Sequence, residues 1–141
     1  MISRLNLNAK LEKLQEYVRY LKEYQKHPLK ELQKDYTLTG AVLHYLQISI
    51  ECVIDIGEVI ISELKLRKPA DGREVFKILA ENEIIPSEFA ERFAPVASFR
   101  NILVHEYAEI DLDKVYSHLQ NDLKDFDFYV QCIAEFVKTK G

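Results

Sequence analysis

Val42-Leu43-His44-Tyr45-Leu46-Gln47-Ile48-Ser49-Ile50-Glu51-Cys52-Val53-Ile54-Asp55-Ile56-Gly57-Glu58-Val59-Ile60-Ile61 is the stretch on which the fold turns. Val42, Tyr45, Leu46, Ser49, Ile50, Cys52, Val53, Ile56, Val59 and Ile60 recur at helical steps and leave little of the circumference polar. The spacing predicts a long helix, capped by Thr37 or Thr39 and running to about Leu66, as the central and most buried element. What stays polar, His44, Gln47, Glu51, Asp55, Glu58 and Ser62, falls on a single face. That line reads either as a solvated face or as a partly buried polar seam at a site or interface.

Upstream, Leu7, Leu11, Leu14, Val18 and Leu21 keep 4-3-4-3 spacing and predict a helix from about residue 6 to 26. His27-Pro28 stops it, and Pro28 can open a short helix ending near Asp35, because a missing N–H costs nothing in a first turn. Downstream, Asp71 with Glu74 three residues on predicts a capped short helix through about Glu81. Ser87 caps the next, which holds Phe89, Phe93, Val96, Phe99 and Leu103, reaches about His105, and is kinked or divided by Pro95. Asp111 then caps a single last helix through Leu112, Val115, Leu119, Leu123, Phe126, Val130, Ile133 and Val137. The expectation is an all-α, up-and-down bundle of four to five main helices plus short ones, forming one domain over residues 1–141.

Composition agrees with that reading. The 141 residues are 48% hydrophobic and 30% charged with only 4 Gly and 4 Pro, too apolar for a disordered chain and too poor in turn residues for a many-stranded β fold. No run approaches the roughly 18 apolar residues of a membrane span, and Met1-Ile2-Ser3-Arg4 leads into charged amphipathic sequence rather than a signal peptide. A soluble cytoplasmic protein with no membrane partner is expected. Cys52 and Cys132 lack CxxC spacing and lie on apolar helix faces, so buried thiols are expected, with no disulfide, no metal and no cofactor. The near-all-round apolarity of the long helix further predicts a homodimer.

The net charge of −4 is unevenly placed. Residues 1–35 carry 8 Lys/Arg against 5 Asp/Glu, and residues 36–141 carry 11 against 18. This excludes a broad cationic face that coats nucleic acid, and leaves room for a local site that handles one phosphate. The Lys65/Arg67/Lys68 cluster reads as a solvated helix terminus favoured by the macrodipole.

Chemistry gathers in one place, Phe99-Arg100-Asn101-Ile102-Leu103-Val104-His105-Glu106-Tyr107. A histidine can take a 2′-hydroxyl proton or protonate a leaving 5′-oxygen, since its ordinary pKa lies near neutrality. An arginine can pair with phosphoryl oxygens and stabilise the charge that builds up in the transition state, and Asn101 can orient either group. The set therefore suits RNA phosphodiester cleavage without a metal. On a straight helix Arg100 and His105 diverge by about 140°, while Asn101 and His105 are about 40° apart. Arg and His converge only if the helix ends or distorts near Val104, or if a second subunit completes the site.

Arg100-Asn101-Ile102-Leu103-Val104-His105-Glu106-Tyr107 resembles the R-x4-H-x-Y signature of the HEPN superfamily, and within it of the HepT-like toxin branch. Ala41-Val42 through Ile54-Asp55-Ile56-Gly57 is similar to that family's long helix, and Ile110-Asp111-Leu112-Asp113-Lys114-Val115-Tyr116 to the start of its last one. Most of residues 5–137 fits without a large insertion. The resemblance implies a homodimeric ribonuclease toxin of a type II toxin–antitoxin pair, with RNA as substrate and a MntA-like nucleotidyltransferase as antitoxin. It places catalysis on Arg100, His105 and Asn101, in a cleft at the dimer interface with Glu51 and Asp55 as possible lining, and makes Tyr107 the residue to which the antitoxin attaches AMP. One departure is Glu106, where the family commonly has a small residue; an acid there can raise the histidine's pKa or repel RNA. A second function class, motivated by Glu106 and the acidic balance, is a non-catalytic subunit of a nucleotidyltransferase complex that binds a nucleotide or the partner.

Overall fold

In a computed structural model, which describes residues 4–105 and 110–140, every regular element is a helix. The long apolar stretch lies in α3 (Tyr36–Glu63), with α1 (Arg4–Tyr24) and α2 (Leu29–Lys34) before it. After it come α4 (Gly72–Glu81), α5 (Ser87–His105), α6 (Leu112–Asn121) and α7 (Leu123–Lys140). The cap of α3 is Asp35, two residues before the predicted threonine. Its carboxylate accepts from the N–H groups of Thr37 (3.0 Å) and Leu38 (3.1 Å), two of the donors a helix start leaves unmet.

Packing follows the apolar periods. Leu7, Leu11, Leu14, Val18 and Leu21 are all buried, on the face that α1 turns toward α3 and α7. The other side of α3 is covered by α4 and α5, and α2 crosses it near its start. Val42, Leu46, Ile50, Val53, Ile56 and Ile60 are consequently at most 1% exposed. The helix is not wholly covered within one chain, since Tyr36 is 89% exposed and Ile48 is only partly buried and lies outside the core cluster.

Where α3 meets α4 and α7, Gly57 makes the approach possible. A Cβ there would stand 2.4 Å from Val75 Cγ1, 3.2 Å from the Tyr129 hydroxyl and 3.3 Å from Leu79 Cδ1. Tyr129 is fully buried and donates its hydroxyl to the Val53 carbonyl at 2.9 Å, which gives a core phenol the partner it requires. Phe76 and Phe93 pack against its ring at 6.1 and 5.8 Å, and Phe93 is edge-on to Phe76 and Phe126 at 5.2 and 5.4 Å.

The long helix and the last one end differently from the sequence reading, while α4 ends at Glu81 as read. The long helix stops at Glu63, because Lys65 takes a left-handed conformation (φ 56°) and the N–H groups of Lys65 and Leu66 close back onto Ser62 and Ile61. The same closure ends α4, with Glu83 at φ 60° and the N–H of Ile84 on Leu79. The expected last helix is two, broken at Asp122. There the Asp122 carboxylate pairs with the His118 imidazole, and its carbonyl accepts from Asp125 N–H in a tight turn. Pro95 stays exposed and does not divide α5, and Ser87 is that helix's first residue rather than its cap.

Candidate active site

Phe99 and Leu103, four residues apart, are buried and pin the last turns of α5 to the core. Phe99 also lies over the His118 imidazole, ring centroids 4.3 Å apart. Of the side chains between them Ile102 packs against the core, and Arg100 and Asn101 line a cleft of about 480 Å³ between α3, α5 and the start of α4. Glu51, Glu58, Asp71 and Arg73 complete its charged lining. Arg100 Nη2 donates to Glu51 Oε2 at 3.2 Å, with both side chains more than a third exposed. Arg100 Nε is buried with no acceptor. The guanidinium is therefore anchored at one corner and has donor capacity to spare.

Of the residues named from sequence, Arg100, Asn101 and Glu51 come together at this cleft. Asp55 does not line it, being engaged by Lys10 Nζ at 2.5 Å, a bond that raises the lysine's pKa. His105 is the exposed last residue of α5 and does not line it either. Glu106 and Tyr107 fall outside the described residues. Because α5 stays helical through His105, Arg100 and His105 point to different sides of it.

The other charges are accounted for by structure. Arg67 is no loose terminal cation. Nε and Nη2 donate to the two oxygens of Glu81 (3.1 and 3.0 Å) and Nη1 donates to Glu74 (3.2 Å), clamping the α3–α4 connection onto α4. The Glu81 hydrogen bond is the main reason that its pKa is raised. Cys52 and Cys132 are only partly buried, but burial pushes the Cys52 thiol up to about 11, and Cys132 also upward, which keeps them protonated and unreactive at neutral pH. Among the described residues no group of three His, Cys, Asp or Glu is placed to hold a metal, and no helix is long and apolar enough to cross a membrane.

Sequence reasoning missed Arg73 and Ser98. Arg73 Nη1 donates to Ser98 Oγ at 2.8 Å on the wall of the same cleft. The two lie 25 positions apart, and no local spacing signals the pairing.

An all-helical bundle with an Arg-Asn pair at a cleft, and an Arg-x4-His-x-Tyr sequence whose Arg and His lie on the same helix, defines a HEPN protein. Residues 14–133 match the Ribonuclease HepT-like model, and the chain belongs to that family. It is 33% identical over 103 residues to the mRNA nuclease HepT of Shewanella oneidensis, covering 73% of this chain and 77% of that one. It is 29% identical over 133 residues to the tRNA nuclease HepT of Aphanizomenon flos-aquae, covering 94% and 90%. Among solved structures, a tri-AMPylated Shewanella oneidensis HEPN toxin in complex with its MNT antitoxin superposes with a TM-score of 0.84 at 27% identity, over 92% of this chain and 96% of that one.

Proposed function

We propose that this protein is an RNA-cleaving toxin of a type II toxin–antitoxin pair. The carrying observation is Arg100, presented to a cleft with Asn101 beside it and donors to spare, in a family whose similar members are named as mRNA and tRNA nucleases. In the reaction, the RNA 2′-oxygen attacks phosphorus as its proton passes to a base. The P–O5′ bond breaks, and the leaving oxygen is protonated, giving a 2′,3′-cyclic phosphate and a 5′-hydroxyl. His105 serves as acid or base, Arg100 stabilises the charge on the phosphoryl oxygens, and Asn101 orients. None of these roles calls for a metal or cofactor.

A homodimer supplies what one chain lacks, since a second α5 can bring a histidine to the arginine of the first. The antitoxin is a MntA-like nucleotidyltransferase that moves AMP from ATP to the Tyr107 hydroxyl and releases pyrophosphate. The added phosphate, seven residues from Arg100, then competes with RNA for the same guanidinium. The setting is cytoplasmic.

The test is RNA cleavage and intact mass for protein made with and without its partner. Unmodified wild type is expected to cleave and His105→Ala to be inert. Partner-treated wild type is expected to gain AMP mass and lose activity, and Tyr107→Phe to escape. Identical RNA integrity with wild type and His105→Ala overturns the reading. The Glu51 carboxylate on Arg100 favours one other reading, a non-catalytic subunit that holds a nucleotide or its partner. Nucleotide binding without cleavage would support it.

A further inference from the structure

The wall that α5 offers to the cleft has an order. On an ideal helix, with Ala97 at the origin, Arg100 lies at about −60°, Asn101 at about +40°, His105 at about +80° and Ser98 at about +100°. Arg100 is therefore on one flank and Ser98 on the other, and both line the cleft. Ser98 and His105 share a line, about 20° apart and about 10 Å along the axis. The residue tied to Ser98 is Arg73, by its single bond of 2.8 Å. A cation from α4 is thus held on the histidine's side of α5, away from Arg100.

Arg73 is exposed, and among the described residues no carboxylate bonds to it, in contrast to Arg67 with its two. A guanidinium carries five N–H donors, so one bond to a hydroxyl leaves most of its capacity, and all of its charge, for a ligand. Asp71, next to it, is occupied in capping α4 through Glu74 N–H at 2.9 Å, and Glu51 is engaged by Arg100. Two carboxylates in the lining have no bonded cation, Asp71, whose charge is shared with the N-terminal turn of α4 that it caps, and Glu58, which opposes an anion there.

We propose that Arg73 is a second RNA-backbone contact, binding a phosphate that flanks the scissile one on the His105 side, with Ser98 as its positioning residue. This rests on the ribonuclease reading of the same cleft and adds the direction in which the strand leaves it. Two arginines on opposite flanks grip two phosphates, and a single-stranded substrate fits because its backbone can follow the turn between them.

The experiment measures binding of a single-stranded RNA oligonucleotide, at several salt concentrations, to His105→Ala protein with and without Arg73→Ala. Loss of Arg73 is expected to weaken binding about tenfold and to flatten the salt dependence by about 0.7 in log–log slope, the value of one single-strand phosphate contact. Ser98→Ala should weaken binding less and in the same direction, Arg73→Lys should restore the slope, and Glu58→Gln should tighten binding. In the cleaving enzyme, Arg73→Ala should raise KM and leave kcat within about threefold. A merely structural role would not move the salt slope. Unchanged affinity and slope in the double variant overturn the proposal, whether or not the wild type cleaves. RNA binding that depends on Arg73 in a protein that never cleaves would leave it standing and remove the nuclease reading.

Discussion

Arg67 and Arg100 are both arginines beside glutamates, with similar exposure of 46% and 39%, yet their bonding differs. Arg67 has three donors placed on two carboxylates, which satisfies both oxygens of Glu81 and joins the turn after α3 to both ends of α4. Arg100 has one donor on one carboxylate and an Nε that meets nothing. A guanidinium with three of its five donors on two carboxylates, which also balance its charge, works as a clamp. One with a single donor committed, in a cleft, is held in place and still able to bind phosphate. Bonding, more than exposure or charge, separates these two arginines.

The largest expected effect tests that separation directly. Arg100→Ala should lower kcat for RNA cleavage by about 10²- to 10³-fold, the range for removing one preorganised charge-stabilising donor, with the melting temperature close to wild type. Arg100→Lys should not restore it, since a point charge cannot replace a planar fork. Retained activity would place Arg100 with Arg67 among the structural residues. A smaller effect is expected at the partner. Glu51→Gln removes the carboxylate that competes with phosphate for Arg100, so KM should fall by about two- to fivefold, the scale of an exposed ion pair. A rise in KM would show that Glu51 serves mainly to aim the guanidinium.

The smallest effect is expected at Arg67. Arg67→Ala should leave cleavage unchanged and lower the melting temperature by a few degrees. Its pH dependence has a defined sign. The Arg67 hydrogen bond holds the Glu81 carboxyl below its ordinary 4.5. That contribution is complete above pH 4.5 and is lost as pH falls through the lowered folded value. The gap in melting temperature between wild type and Arg67→Ala should be full at pH 7 and close on acidification. A gap that persists at low pH would mean the arginine stabilises by packing alone.

Much of the fold was legible because helical periodicity is a local property. The stripes Leu7 to Leu21 and Val115 to Val137 are buried as read, and Asp71 and Asp111 cap where the spacing places them. The misread ends have local causes that composition hides. Lys65 adopts a left-handed turn that glycine usually signals, and the apolar period runs unbroken through Asp122 while the backbone does not. At the site, Arg100, Asn101 and His105 stand out because chemistry-bearing types cluster in sequence. Arg73 and Ser98 do not, since their meaning depends on α4 lying against α5.

The sequence by itself therefore determined which segments coil, which stripe of each is buried, and where the reactive side chains concentrate. Repeating apolar spacing specifies the first two, and the clustering of chemistry-bearing residue types the third. Only the tertiary structure decided which cations are committed and which are free. Arg67 meets Glu81 across 14 residues, Lys10 meets Asp55 across 45, and Arg100 meets Glu51 across 49. An ion pair exists only where packing brings its partners within bonding distance, and no local pattern encodes a separation of that kind.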